Sequence, residues 1–258
     1  GGGDEESVIA DDLHVVREGQ GAPLLFLVGL GGRADFWAPQ FARFTDDRDC
    51  IGFDHRKTAD RETSVAGLAE DAIGLLDALG IESVDIVGHS LGGAIAQQIA
   101  VFHPERVNRL VLSASWCGPT PWFLDLFALR KRVLIENGPR DYLLQGNLLG
   151  NPGWWTFANH AQMIAGIATR LTGFAGVDIE CERMDAVTSH DLREQVNRIA
   201  AKTLVVCTRD DGITPLGLSE ELAERIPGAQ FDVLDTGSHF APSCVPDDWA
   251  APVRAFLR

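Results

Sequence analysis

Long apolar runs, basic charge and paired cysteines are all scarce in this 258-residue chain. No apolar run reaches the ~18 residues that a membrane-spanning helix needs, and nothing at the start reads as a signal peptide. Lys and Arg number 22 against 37 Asp and Glu, for a formal net charge of −15. A field of that sign disfavours polyanionic partners, so no nucleic acid and no membrane surface is expected to bind. The five cysteines, Cys50, Cys117, Cys181, Cys207 and Cys244, are odd in number and scattered. They form no CxxC or Cys/His spacing, so no metal site is expected. Buried free thiols in a reducing cytoplasm are expected instead. There is no internal repeat and no low-complexity tract, and Gly1–Gly3 reads as a frayed end or a remnant outside the fold.

What is present is an ordinary globular composition, 45% hydrophobic and 23% charged. The length suits one large α/β domain with an insertion, burying roughly 70–75% of its extended-chain surface. Short β-rich runs recur at 13–16, 23–28, 50–53, 84–87, 109–114, 203–208 and 231–234. The later ones are almost continuously apolar, as strands covered on both faces are. Helical patterns at 64–79, 92–102, 216–226 and 246–257 separate them. The alternation predicts a mostly parallel central sheet with helices on both faces, and "REGQGAP" at 17–23 reads as an N-terminal antiparallel hairpin. From about Cys117 to Asn197 the rhythm breaks, with no convincing strand and several helix-like runs around Trp122, Trp154 and Trp155. The expected division is therefore a core of 4–116 and 198–258 with a helical cap over 117–197.

The strand at 23–28 opens into Gly29-Leu30-Gly31-Gly32, a loop that needs bare backbone. Gly29-x-Gly31-x-x-Ala34 satisfies a dinucleotide-binding pattern, with Asp54 as the ribose acid and Arg56 beside it. Against this, Phe36, Trp37 and Pro39 stand where a closely packed helix should begin, and a hairpin precedes the strand. A stronger motif lies downstream and leaves a nicotinamide nothing to do.

That motif is "VDIVGHSLGGAIAQQIA" at 84–100, a G-x-S-x-G in strand–turn–helix context. Ser90 must sit at the tip of a sharp turn, where Gly88 and Gly92 remove side chains that would clash. The Leu91 N–H and the helix N-terminus then face the same point as the Ser90 hydroxyl. A serine hydroxyl is a poor nucleophile at neutral pH, so it needs a base and the base needs an orienting acid. In chain order, Asp210 and Asp211 follow the strand at 203–208, and His239 follows the next strand. Asp211 is preferred because it precedes the "GITP" turn and lies further from the strand, which leaves Asp210 as a solvated turn residue. His239 is the only histidine after the acid. Packing or local hydrogen bonding is expected for His55 and His89, surface positions for His14 and His103. His160 and His190 fall in the insertion, where either could touch substrate.

On these residues the chain resembles the α/β-hydrolase superfamily over nearly its whole length. "VGLGG" matches the oxyanion loop, "FDHR" the Asp-x-Arg turn, "GHSLGG" the nucleophile elbow, and "RDDGITP" and "GSHF" the acid and base loops. The resemblance implies an oxyanion hole built from the Leu30 and Leu91 N–H groups. "GLGGRADFWAPQ" and the segments around "SASWCGPTPWF" and "NGPRDYLLQGNLLGNPGWW" look like the small esterases, enol-lactonases and pyrimidine-utilisation aminoacrylate hydrolases, which use no cofactor. Two departures stand out. Val28 replaces the family's usual His before the loop, and Lys57 and Ala59 replace both glycines of the turn after Asp54.

The expectation is a cytoplasmic, cofactor-independent serine hydrolase of a small ester or lactone, monomeric or homodimeric. Leu30, Trp116, Trp122, Trp154 and His160 are expected to contact the substrate. C–C or C–N bond hydrolysis by the same residues is one alternative, and a non-hydrolytic ligand receptor is another.

Overall fold

The computed structural model describes residues 13–57 and 63–258. Gly1–Gly3 and the Ala59 substitution lie outside the described residues. Seven strands form one sheet: β1 Val15–Gly19, β2 Ala22–Leu27, β3 Arg48–Phe53, β4 Val84–His89, β5 Val107–Ser113, β6 Lys202–Thr208 and β7 Gln230–Leu234. The helices between β2 and β5 are α1 Ala38–Phe41, α2 Val65–Ala78 and α3 Leu91–Phe102. Between β5 and β6 the chain makes α4 Pro121–Asn137, α5 Pro139–Gly150, α6 Gly153–Ala158, α7 His160–Thr172 and α8 Val177–Ser189, with no strand. The chain closes with α9 Leu216–Arg225, α10 Ala241–Cys244 and α11 Pro246–Leu257.

The sheet order is β1-β3-β2-β4-β5-β6-β7, and every pairing is parallel except that of β1 with β3. The N-terminal antiparallel strand is therefore present, but it does not pair with β2 as a hairpin. β3 lies between them. The turn at Gly19 and Gly21 explains this. Both glycines have positive φ, and a Cβ at either would strike the backbone carbonyl of Arg48 or Asp47. The turn is thus packed onto the start of β3 rather than closed on itself.

Alternate residues of the central strands enter opposite cores, as the two-residue period of a strand requires. Leu25, Leu27, Ile86, Leu110, Leu112 and Val205 face α2, α3 and α9. Leu24, Phe26, Val87, Val111, Leu204 and Val206 face Trp37, Phe41, Phe44 and the Trp249–Leu257 side of α11. Ser64 starts α2 by accepting a hydrogen bond from the Gly67 N–H (3.0 Å), and Thr120 does the same for Phe123 at α4 (3.3 Å). The core under α4 continues into the sheet through Trp116, Phe123 and Phe127, whose rings pack tilted in sequence at centroid distances of 4.9 and 4.7 Å. Among the described residues no helix is long and apolar enough to cross a membrane. All five cysteines are free; Cys50, Cys117 and Cys207 are buried as expected, while Cys181 and Cys244 are only half-buried.

Candidate active site

Parallel strands deliver their following loops to one rim of the sheet, at the strands' carboxyl ends. There Gly29–Gly31 after β2, Ser90 after β4 and His239 after β7 line one cavity of about 420 Å³, with Asp211 after β6 bonded to His239.

Ser90 occupies a backbone conformation that L residues rarely adopt, with φ 54° and ψ −118°. The turn is held from all sides. The Ser90 N–H donates to Ser113 O (2.8 Å), while the Ser90 carbonyl accepts from the Gly93 N–H (2.8 Å) and the Ser115 hydroxyl (3.1 Å). A Cβ on Gly88 would strike the Gly92 carbonyl, and one on Gly92 would strike the Leu27 carbonyl. Both glycines are therefore required by close backbone approach. The other non-glycine residues with positive φ, Ala114 and Ser238, also stand at this rim. Each is pinned by side chains: the Thr214 hydroxyl donates to Ala114 O, and Ser238 O accepts from Thr208. Strain concentrated and over-determined in this way marks a candidate functional site.

Asp211 is buried, and its Oδ2 lies 2.9 Å from His239 Nδ1. Its Oδ1 accepts the Ile213 and Thr214 N–H groups at 2.8 Å each, which fixes the carboxylate before it meets the ring. Asp211 is thus the partner of His239, as expected. Asp210 is more than a solvated turn residue. Although exposed, it accepts the Thr236 hydroxyl (2.7 Å) and the Ser238 N–H (2.8 Å), so it braces the loop that carries His239. Burial pushes its carboxyl up, but hydrogen bonds from Thr236, Ser238 and Thr208 outweigh this and hold it below its ordinary value. With Nδ1 engaged by Asp211, His239 keeps Nε2 as its second, basic nitrogen. No hydrogen bond joins the Ser90 hydroxyl to the imidazole among the described residues; both line the cavity.

Leu30 lines the cavity, and Leu91 is the first residue of α3. Its backbone N–H belongs to the first turn, where helices leave donors unsatisfied. The Leu91 side chain itself is fully buried in the core. Gly29 sets the loop against the elbow, since its Cβ position is 3.4 Å from Ser90 Cβ. Asp54, the residue a ribose would have required, is buried and accepts the Ala34 N–H at 2.8 Å, while the His55 N–H donates to Gly32 O at 2.8 Å. The Asp54 turn therefore anchors the glycine loop. Lys57 is exposed, and Val28 is buried beneath the loop at the cavity wall. His89 stacks on Phe36 and bonds Ser113 Oγ (3.1 Å); burial and then His239 push it well below its ordinary range, so it stays neutral.

The structure does not bring the expected substrate contacts Trp116, Trp122, Trp154 and His160 to this cavity. Trp116 is fully buried and roots α4 in the core, with His190 edge-on to it. Trp122 and Trp154 are about half exposed, His160 is exposed, and none of the four lines the cavity. The wall on the helical side is instead Phe127, Arg130, Tyr142, Leu143, Arg170 and Glu180. A signal for these lay in helical spacing. Arg130 follows Phe123 and Phe127 and precedes Leu134 on the one buried stripe of α4. Arg170 continues the Met163–Ile167 stripe of α7, and Glu180 and Arg183 share the buried stripe of α8 with Val187. Charges on an inward stripe are the exception that calls for explanation.

Comparison with known proteins identifies the fold family. The sequence profile of the alpha/beta hydrolase fold matches residues 22–134. A protein of Pseudomonas savastanoi pv. phaseolicola named "Putative carbamate hydrolase RutD" is 36% identical over 225 residues, covering 84% of this chain and 87% of that protein. A protein of the same name from Caulobacter sp. is 32% identical over 240 residues, covering 91% and 90%. Among solved structures, the enol-lactonase from Burkholderia xenovorans superposes with a TM-score of 0.83 at 22% identity, over 95% of this chain and 96% of that one, a likeness of fold. With the profile match, the relatives above 30% identity and the shared sheet topology together, this chain belongs to the α/β-hydrolase fold family.

Proposed function

We propose that this protein is a cofactor-independent serine hydrolase in which Ser90 is the nucleophile, His239 the general base and Asp211 its orienting acid. The observation that carries the reading is a strained, hydrogen-bonded serine that lines the same cavity as His239, itself paired with the buried Asp211. Ser90 Oγ attacks a substrate carbonyl as His239 Nε2 takes its proton. The negative charge on the tetrahedral oxygen falls to the Leu30 and Leu91 N–H groups, whose loss one at a time typically costs roughly 10²–10³ in turnover. His239 then returns the proton to the leaving group, and water releases the acyl group from Ser90 by the same route in reverse. The helices α4–α8 act as the cap, closing the cavity from the side opposite the sheet.

A small carboxylic ester or lactone is the substrate class first proposed. A second reading, C–N cleavage of a carbamate or amide-type substrate by the same residues, is favoured by the carbamate hydrolase name of the relatives at 36% and 32% identity. Exposure to a fluorophosphonate followed by intact-mass measurement tests the nucleophile: one adduct is expected on the parent and none on Ser90→Ala. Undiminished labelling of Ser90→Ala would remove the assignment. Initial rates on p-nitrophenyl esters, lactones and carbamates then separate the two substrate classes.

A further inference from the structure

The helical wall of the cavity carries more positive charge than the protein itself neutralises. Three guanidiniums, those of Arg130, Arg170 and Arg183, gather near a single buried carboxylate, Glu180. Glu180 is already committed: its Oε1 accepts the Tyr142 hydroxyl at 2.8 Å and its Oε2 pairs with Arg183 at 3.3 Å. Arg183 in turn donates to Arg56 O at 3.0 Å. The remaining pair at the wall, Arg33 with Asp35, is closed at 2.7 Å. Arg130 and Arg170 are left over. Arg130 is 6% exposed, and its Nε and one Nη have no hydrogen-bond partner; its Cζ lies over the ring of Tyr142, 4.8 Å from the centroid. The Arg170 guanidinium makes no hydrogen bond or ion pair among the described residues; burial pulls it below its ordinary value, although Tyr142 and Glu180 nearby act in the opposite direction.

Among the described residues Arg130 is buried and Arg170 half-buried, and neither guanidinium makes an ion pair, an arrangement that is costly to a fold. Space has been kept for them as well. Gly146 on α5 leaves room at Arg130, where a Cβ would lie 3.2 Å from a guanidinium nitrogen. Gly31 does the same for Arg170 at 3.2 Å. Gly31 is only two residues from Gly29, which touches Ser90, and that chain step spans about 7 Å. An anion seated between the arginines would thus stand one short molecule's length from the serine hydroxyl.

We propose that Arg130 and Arg170 form the binding subsite for a carboxylate carried by the substrate, so that this cavity takes short acyl compounds bearing a second, ionised carboxyl group remote from the bond cleaved. A planar carboxylate matches the paired N–H donors of a guanidinium and would complete the donors that the protein leaves open. The inference rests on the serine-hydrolase reading for its chemistry, but not for its binding.

The test uses two probes of equal leaving group, p-nitrophenyl acetate and the mono-p-nitrophenyl ester of succinate, with kcat and KM measured on the full chain. The parent is expected to prefer the succinate half-ester, and Arg170→Gln to reduce the ratio of kcat/KM values by about tenfold or more, chiefly through KM. Arg170→Lys should restore part of that preference. Arg130→Gln should act likewise; because Arg130 is buried, its fold is checked by circular dichroism, and Arg170→Gln alone suffices if it does not fold. Succinate binding to Ser90→Ala, followed by calorimetry, decides the case without turnover. Binding that Arg170→Gln abolishes supports the subsite even if neither ester is cleaved and Ser90 is never labelled, in which case the hydrolase reading fails alone. A parent with no preference for the half-ester and no succinate binding, or a preference unchanged in Arg170→Gln, overturns the proposal.

Discussion

Gly92→Ala is the most informative single substitution in this molecule, because it probes the contact that holds the two halves of the proposed oxyanion site together. The new methyl would land on the Leu27 carbonyl and 2.8 Å from the Val28 carbonyl oxygen. Both obstacles are backbone, so neither can rotate away. At Val28 alone the start of α3 must retreat from the end of β2 by roughly half an ångström to reach ordinary van der Waals contact. That displacement separates the Leu91 N–H from the Leu30 N–H, the pair proposed to hold one oxygen between them. Overpacking of this kind costs about 1–3 kcal/mol of stability, with the upper end fitting an immovable partner. Misplacing catalytic donors by a fraction of an ångström to 1 Å costs on the order of 10² in turnover. Urea unfolding gives the first quantity and burst-phase acylation by a p-nitrophenyl ester gives the second. Gly74→Ala is the control: Gly74 lies in mid-helix with nothing within 4 Å of its Cβ position. It should gain about 0.4–1 kcal/mol and leave acylation alone. A Gly92→Ala variant that matches the parent in both unfolding midpoint and acylation rate would refute the account of the elbow.

Two further outcomes follow from burial. His55 and His190 are held neutral mainly by burial, which pushes them down to about 3 and about 4. Arg183 and Arg56 add to the effect at His55, while Asp191 opposes it at His190. The unfolded chain takes up these protons below about pH 6.5, so stability should fall as pH drops from there, by roughly 2 kcal/mol per histidine by pH 5. Urea titrations at pH 7 and pH 5 measure the loss, and His190→Gln should remove one share of it; an unchanged pH slope in that variant contradicts the assignment. Trp122→Ala should leave kcat/KM within about twofold of the parent, because Trp122 is half exposed and outside the cavity. A tenfold loss in steady-state assays would return that residue to the substrate wall.

The elements that order the sheet were legible because each has a local cause. Seven apolar runs became seven strands, and Ser90, Asp211 and His239 came from turn chemistry at strand ends, which sequence order alone arranges. β1 was read correctly as antiparallel but assigned the wrong neighbour, since pairing across β3 depends on the Gly19–Gly21 turn packing against Arg48, a contact distant in sequence. The helical side of the cavity misled for a different reason. Tryptophans draw attention as binding residues, yet Trp116 anchors α4 and Trp154 reaches outward to Thr236. The residues that face the cavity are arginines, which in isolation read as solvated charge. Only the buried stripe on which Arg130 sits reveals that it points inward.

The glycine loop and the helices above it are also fastened to each other. Arg183 of α8 holds the carbonyl of Arg56 in the turn that anchors Gly32, Arg170 of α7 packs on Gly31, and Arg33 presses against Gly173. On the proposed function, substrate choice and the placement of the oxyanion loop therefore cannot be inherited separately. A chimera that exchanges 117–197 with a relative's segment would import a new roof while leaving behind the sockets that receive it. Residues 31–33 and 55–56 would have to travel with the graft, and recombination within this family should break productively outside that seam and unproductively across it.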